Sequence, residues 1–137
     1  MKRLIFILCL SVVIFSCEKD DNVSPTNDSI SSINDFLRNQ NGLRITELIE
    51  EGTNKIAQYN PYLFVFKENG TMTATQSSET INGTYLVFRD DNRTELRMTF
   101  SNNTILFELS DDWYFTSQNS TTIRFEDNGD IVQFQKQ

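Results

Sequence analysis

"YLFVFKENGTMTATQ", residues 62–76, decides the fold of this chain. Tyr62, Phe64 and Phe66 alternate with Leu63, Val65 and Lys67, so one set of side chains faces one way along an extended strand. Glu68-Asn69-Gly70 then reads as a hairpin turn, because Asn-Gly takes positive φ with little strain. The chain returns through Thr71–Gln76 with Met72 and Ala74 on the same side as the aromatics. The same period of two recurs along the chain. "LRITELI" (43–49) offers Leu43, Ile45 and Ile49 inward, and "TINGTYLVF" (80–88) offers Ile81, Gly83, Tyr85 and Val87. "ELRMTF" (95–100) follows after the turn Asp90-Asp91-Asn92, with Leu96, Met98 and Phe100 inward. "DWYFTS" (112–117), "TTIRFE" (121–126) and "DIVQFQ" (130–135) complete about eight strands, separated by Asn119-Ser120 and Asn128-Gly129. One helical turn is expected near "NTILFELS".

Short strands with tight turns and no long helices between them predict an antiparallel sandwich or barrel. Eight strands in meander order close most naturally as an up-and-down barrel, which leaves no sheet edge exposed. The expected fold is therefore all-β, with a short helix over 29–39 in front of the barrel. Ile30, Ile33, Phe36 and Leu37 share one face of that helix, Ser29 caps it, and Asn41-Gly42 ends it.

The N-terminus has a different logic. Lys2 and Arg3 precede the apolar run Leu4–Ser16, a basic region followed by a short hydrophobic one, as in a secretory signal. The run falls short of the roughly 20 apolar residues that a spanning helix needs. Ile14-Phe15-Ser16-Cys17 resembles a bacterial lipobox, although Phe15 is bulkier than the usual residue there. That resemblance implies cleavage before Cys17 and acylation of its thiol. Glu18-Lys19-Asp20-Asp21 is similar to the Lys-plus-acids signal on surface lipoproteins of one group of Gram-negative bacteria, with Lys19, Asp20 and Asp21 as its core. A solvated acidic tether is the plainer account of the same residues. The organisation expected is a signal peptide over 1–16, a lipidated acidic tether over 17–29 and a barrel domain over 30–137. Asp28-Ser29-Ile30 also resembles an O-glycosylation acceptor of the same bacterial group, beside the simpler role of Ser29 as helix cap.

Charge and reactive inventory then narrow the function. Losing Lys2 and Arg3 with the signal leaves 10 basic against 19 acidic residues, a net charge of −9. Such a surface repels nucleic acid, which is bound by neutralising phosphates with Lys and Arg, and it offers no polybasic membrane patch. With Cys9 in the signal and Cys17 acylated, no thiol remains for a disulfide or a thiolate metal site. The chain has no histidine, which excludes Ser-His or Cys-His triads and the usual zinc sites. Glu50-Glu51, Asp90-Asp91 and Asp111-Asp112 are paired acids, and glycoside hydrolysis uses two carboxyls about 5–9.5 Å apart. Neighbours on a strand point to opposite faces, however, and each pair lies beside a turn, so solvated acids are expected. "EDNGD" at 126–130 could hold calcium through oxygens, but it lacks EF-hand spacing, and an Asp-Asn-Gly turn explains it without a metal. No enzyme activity, metal or cofactor is expected.

"LRITELIEEG", "YLFVFKENGTMTAT", "INGTYLVF" and "LSDDWYF" together resemble the lipocalin-like lipoprotein domains of Gram-negative surface proteins, over about residues 40–137. The resemblance implies a lipid-anchored outer-membrane protein, facing the cell surface. Here Gly42 is followed by Leu43-Arg44 where that family carries a Trp, so the aromatic plug of one barrel end is expected to be missing. Phe64, Phe66, Tyr85, Phe100, Trp113, Phe115, Phe125 and Phe134 are expected to share the interior. Eight-stranded barrels either fill with such side chains or hold one small apolar ligand. Three functions remain open: first a binding module for a small apolar ligand, second a structural or inhibitor-type lipoprotein that presents loops to a protein partner, and last an enzyme, which would need a close inward-facing pair of acids.

Overall fold

The computed structural model describes residues 29–137. Strands β1 (Leu43–Glu50) to β9 (Asp130–Lys136) form one antiparallel sheet that closes on itself through a long β1–β9 ladder. Eight of them, β1 and β3 (Leu63–Phe66), β4 (Thr71–Gln76), β5 (Glu79–Asp90), β6 (Arg93–Phe100), β7 (Asp112–Gln118), β8 (Thr122–Asp127) and β9, make the barrel. β2 (Thr53–Asn54) is a two-residue appendage of β1. All eight expected strands are present, in the expected meander order.

Turn chemistry explains the tight connections. Glu51-Gly52, Asp91-Asn92 and Asn128-Gly129 all have positive φ at both central residues, the geometry whose twist matches a two-residue hairpin. At Glu68-Asn69-Gly70 the expectation needs correcting, since only Gly70 is left-handed (φ 79°). Asn69 acts instead through its side chain, whose Oδ1 accepts from the Thr71 amide at 3.1 Å. Asn119 does the same for Thr121 and Thr122 at 2.9 and 2.8 Å.

Helix α1 (Ile30–Leu37) is capped by Ser29, whose Oγ accepts from the Ser32 amide at 3.1 Å. It closes one barrel end with Ile33, Phe36 and Leu37, while Ile30 in its first turn stays exposed. Polar contacts pin it there. Arg38 Nε donates to the Tyr85 hydroxyl (2.9 Å), Gln118 Nε2 donates to Ser32 Oγ (3.3 Å), and Lys136 Nζ sits 4.3 Å from the Phe36 ring centre. The opposite end is covered by two elements in the connections, α2 (Ile56–Tyr59) and a 3₁₀ helix (Ile105–Leu109), the latter where one turn is expected. Leu106, Leu109 and Tyr59 are fully buried there, and Trp113 Nε1 donates to the Leu109 carbonyl at 3.1 Å. Trp113 closes this end from β7, while the end at Gly42-Leu43 is closed by α1.

Two strands depart from simple alternation. A bulge at Thr46 shifts the β1 register between Ile45 and Glu47, so Leu48, and not Ile49, turns inward. A second bulge at Thr116 interrupts β7 after Phe115. The seam between β1 and β3 is short, a single pair Leu43↔Phe64, because the chain spends residues 51–61 on β2 and α2. Gly42 makes that close approach possible. It has φ 75°, and a Cβ there would lie 2.9 Å from the Phe64 carbonyl.

Candidate functional site

The barrel interior comes first, since it is where a ligand pocket is expected. Of the eight aromatics assigned to it, Phe64, Phe66, Tyr85, Phe100, Trp113, Phe125 and Phe134 are buried, and Phe115 is half-buried against them. Their rings pack on one another. Phe134 meets Phe64 edge-on at 5.6 Å and Phe66 at 5.7 Å, and Phe66 meets Tyr85 at 5.0 Å. Phe115 packs on Phe125 at 6.1 Å. Phe100 packs its ring against its cross-strand partner Gly83, where a Cβ would come within 2.8 Å of the ring. Tyr85 directs its hydroxyl out of this apolar interior, donating to the Lys67 carbonyl at 2.8 Å.

Open concavities lie along the barrel wall. One of about 560 Å³ is a saddle over β4, β5 and β6, lined by Lys67, Thr71, Thr73, Asn82, Thr84 and Thr99 together with Met72, Gly83 and Phe100. A smaller one of about 270 Å³ lies where α1 meets the β3–β4 turn, between Arg38, Glu68 and Tyr85. A third, about 350 Å³, runs along Tyr114 and Glu126.

The outer wall carries a cluster that alternation alone does not reveal. Arg93, Glu95 and Arg97 all point outward from β6, and Glu95 is flanked across the strands by Phe88 and Tyr114. The Arg97 guanidinium lies 4.8 Å from the Phe88 ring centre and that of Arg93 lies 4.7 Å from the Tyr114 ring centre. Glu95 is left only 5% exposed between them, a buried carboxylate on a solvent face. Burial pushes its pKa up, and the nearby charges of Asp90 and Asp112 add to this, with Arg97 opposing. Arg97 instead grips Asp112 with two bonds of 2.6 Å, which holds the Asp112 carboxyl below its ordinary range. A carboxyl that protonates more readily folded than unfolded costs stability once both states are ionised. Glu95→Gln should therefore raise the thermal midpoint at pH 7, with the gain shrinking as pH falls through the raised folded pKa and gone below about 4, where a free Glu also protonates. Equal midpoints at pH 7 would show that the ionised carboxylate costs nothing there.

A second polar network locks the end opposite α1. The Tyr59 hydroxyl directs its one proton to Glu108 Oε2 (2.6 Å), with the Ile105 carbonyl sharing it at 3.1 Å, while Lys55 Nζ pairs with both Glu50 and Glu108. Burial, and then the Glu108 carboxylate, push the Tyr59 pKa up. The Tyr59 bond and Lys55 pull that of Glu108 down.

The paired acids are dispersed into such local roles. Glu50 binds Lys55, while the Asp90 and Asp111 carboxylates each accept from the following amide. In the calcium candidate, Asp130 Oδ1 accepts from the Glu51 amide at 2.7 Å. Among the described residues, no group of three or more acids converges as a metal site. Cys17, Lys19, Asp20 and Asp21 lie outside the described residues. No helix among the described residues is long and apolar enough to cross a membrane.

No family model matches the chain, and no curated protein matches it. Among solved structures, the crystal structure of a DUF4847 family protein from Bacteroides vulgatus is similar, with a TM-score of 0.52 and 16% sequence identity. The likeness covers 77% of this chain and 99% of that one, and at this identity it is a likeness of fold.

Proposed function

We propose that this protein is a lipid-anchored envelope lipoprotein whose side-chain-filled barrel is a rigid platform presenting its outer surface to a protein partner, without enzymatic activity of its own. One observation carries the partner half of this reading. The interior is occupied by its own rings, with Phe134 touching both Phe64 and Phe66, and both ends are covered. A barrel that holds a small ligand keeps concave apolar room with a few polar groups aimed into it. Here the polar tips of the inner aromatics are spent on backbone carbonyls, Tyr85 on Lys67 and Trp113 on Leu109. A small apolar ligand would have to displace α1 or a core ring.

The anchoring half rests on Ile14-Phe15-Ser16-Cys17 and the acidic stretch behind it. Cys17→Ser should leave an uncut precursor or release soluble protein, because each buried acyl methylene contributes about 0.8 kcal/mol to membrane binding. Processed protein remaining in the membrane fraction would overturn the anchor. Replacing Lys19, Asp20 and Asp21 together by Ala should abolish antibody labelling of intact cells while acylation persists. Unchanged labelling would reduce the stretch to a spacer.

A further inference from the structure

The barrel end opposite α1 combines an exposed apolar pair with a surround rich in acids. Ile105 and Phe107 are 43% and 49% exposed, while Leu106 and Leu109 in the same 3₁₀ helix are fully buried. With three residues per turn, Leu106 and Leu109 share the core face, which leaves Ile105 and Phe107 on the other two. Their backbone is held still, since the Tyr59 hydroxyl binds the Ile105 carbonyl and Trp113 binds that of Leu109. Around this apolar tip the connections and strand ends carry Glu50, Glu51, Glu108, Asp111, Asp127 and Asp130, while the arginines that reach this end are engaged, Arg97 by Asp112 and Arg44 by the Asn60 and Pro61 carbonyls. Lys55 is already paired with Glu50 and Glu108.

We propose that this tip is a docking site for a protein partner that receives Phe107 and Ile105 in an apolar pocket bordered by Lys and Arg. Because the backbone that carries them is fastened before binding, docking has only the two side chains left to order. The acidic border selects the partner's sign, because like charges across an interface are costly. It sets a second copy of this chain at a disadvantage, since that would bring two acidic ends together. An anionic bilayer is disfavoured for the same reason, and the chain enters the domain at Ser29, on the α1 end. This proposal rests on the partner-presenting reading above and names its surface, while membrane fractionation of Cys17→Ser tests the anchor separately.

The test uses the purified mature chain and a fluorescein-labelled amphipathic peptide of Leu and Lys, with Leu at helical spacing. Fluorescence anisotropy at low salt should show saturable binding that weakens at least tenfold in Phe107→Ser and Ile105→Ser. It should also weaken severalfold in Glu51→Lys and on raising the salt, as screening of exposed charge requires. Leu86→Ser serves as control, because Leu86 is equally exposed (52%) but lies on the β5 wall. Unchanged Trp113 emission verifies that each variant is folded. Three results overturn the proposal: no binding, equal binding by Phe107→Ser, or an equal loss in Leu86→Ser. So would sedimentation showing a dimer that Phe107→Ser dissolves, or flotation with phosphatidylcholine vesicles containing phosphatidylglycerol that Phe107→Ser abolishes.

Discussion

Trp113→Ala is expected to lower the unfolding free energy by about 3–5 kcal/mol, the usual cost of truncating a large buried aromatic. Three contributions combine at this position. The indole is 3% exposed and sits across the strands from the fully buried Leu96, so its removal opens a void beneath the 3₁₀ helix. Its Nε1 donates to the Leu109 carbonyl, which would lose its partner. The helix itself is held to the barrel by that bond, by Leu106 and Leu109, and by Tyr59, so one of its fastenings disappears. A domain stable by about 5–15 kcal/mol would be left near its folding threshold. Trp113→Phe should recover most of the burial and lose about 1 kcal/mol for the bond. Since the chain has one tryptophan, its emission reports on this site alone and should be blue-shifted in the folded protein. Denaturant titration of both variants checks the energies. A cost below about 1 kcal/mol for Trp113→Ala would mean that the 3₁₀ helix contributes little to the closure.

Much of this architecture was legible because its signals are local. Alternation in "YLFVFK" and "TMTATQ" reflects the pleat itself, and each turn carries residues that tolerate its geometry. Features that depend on pairing between distant segments were not legible in the same way. The bulge at Thr46 arises where β1 meets β9, almost 90 residues later, and a period-two reading of "LRITELI" therefore chose Ile49 over Leu48. The residues "TNKIAQY" of β2 and α2 show neither clear alternation nor enough length for helical periodicity, so their role in closing the barrel was not foreseen. Glu95 is not legible in the sequence for a related reason. A charged residue on an outward position reads as solvated, and only the folding of Arg93 and Arg97 over Tyr114 and Phe88 buries it. The tip at Ile105 and Phe107 was hidden within a stretch expected to make one helical turn, because which face is covered depends on where Leu106 and Leu109 find the core. Even the core aromatics left one question undecided. Composition lists which rings are inside, but whether they enclose a void depends on their mutual packing.

That question has a direct test in Phe134→Ala. Phe134 is fully buried, lies between Ile45 and Ile123 on neighbouring strands, and touches both Phe64 and Phe66 edge-on. Removing its ring should cost about 3–5 kcal/mol, the upper part of which reflects a cavity that stiff neighbouring strands cannot close. A void lined by Phe, Leu and Ile stays dry and accepts a small apolar molecule of matching size. The variant should therefore bind benzene or a similar ring and regain stability with its concentration, rising as RT ln(1 + [L]/Kd). The unsubstituted protein should show no such rise, because its own ring already occupies the place. Thermal midpoints of both proteins across a benzene series separate the alternatives. Stabilisation of the variant alone is what a filled barrel predicts. Stabilisation of both to the same degree would mean that the native interior has room to spare, and the partner-presenting reading would then yield to that of a small-ligand carrier.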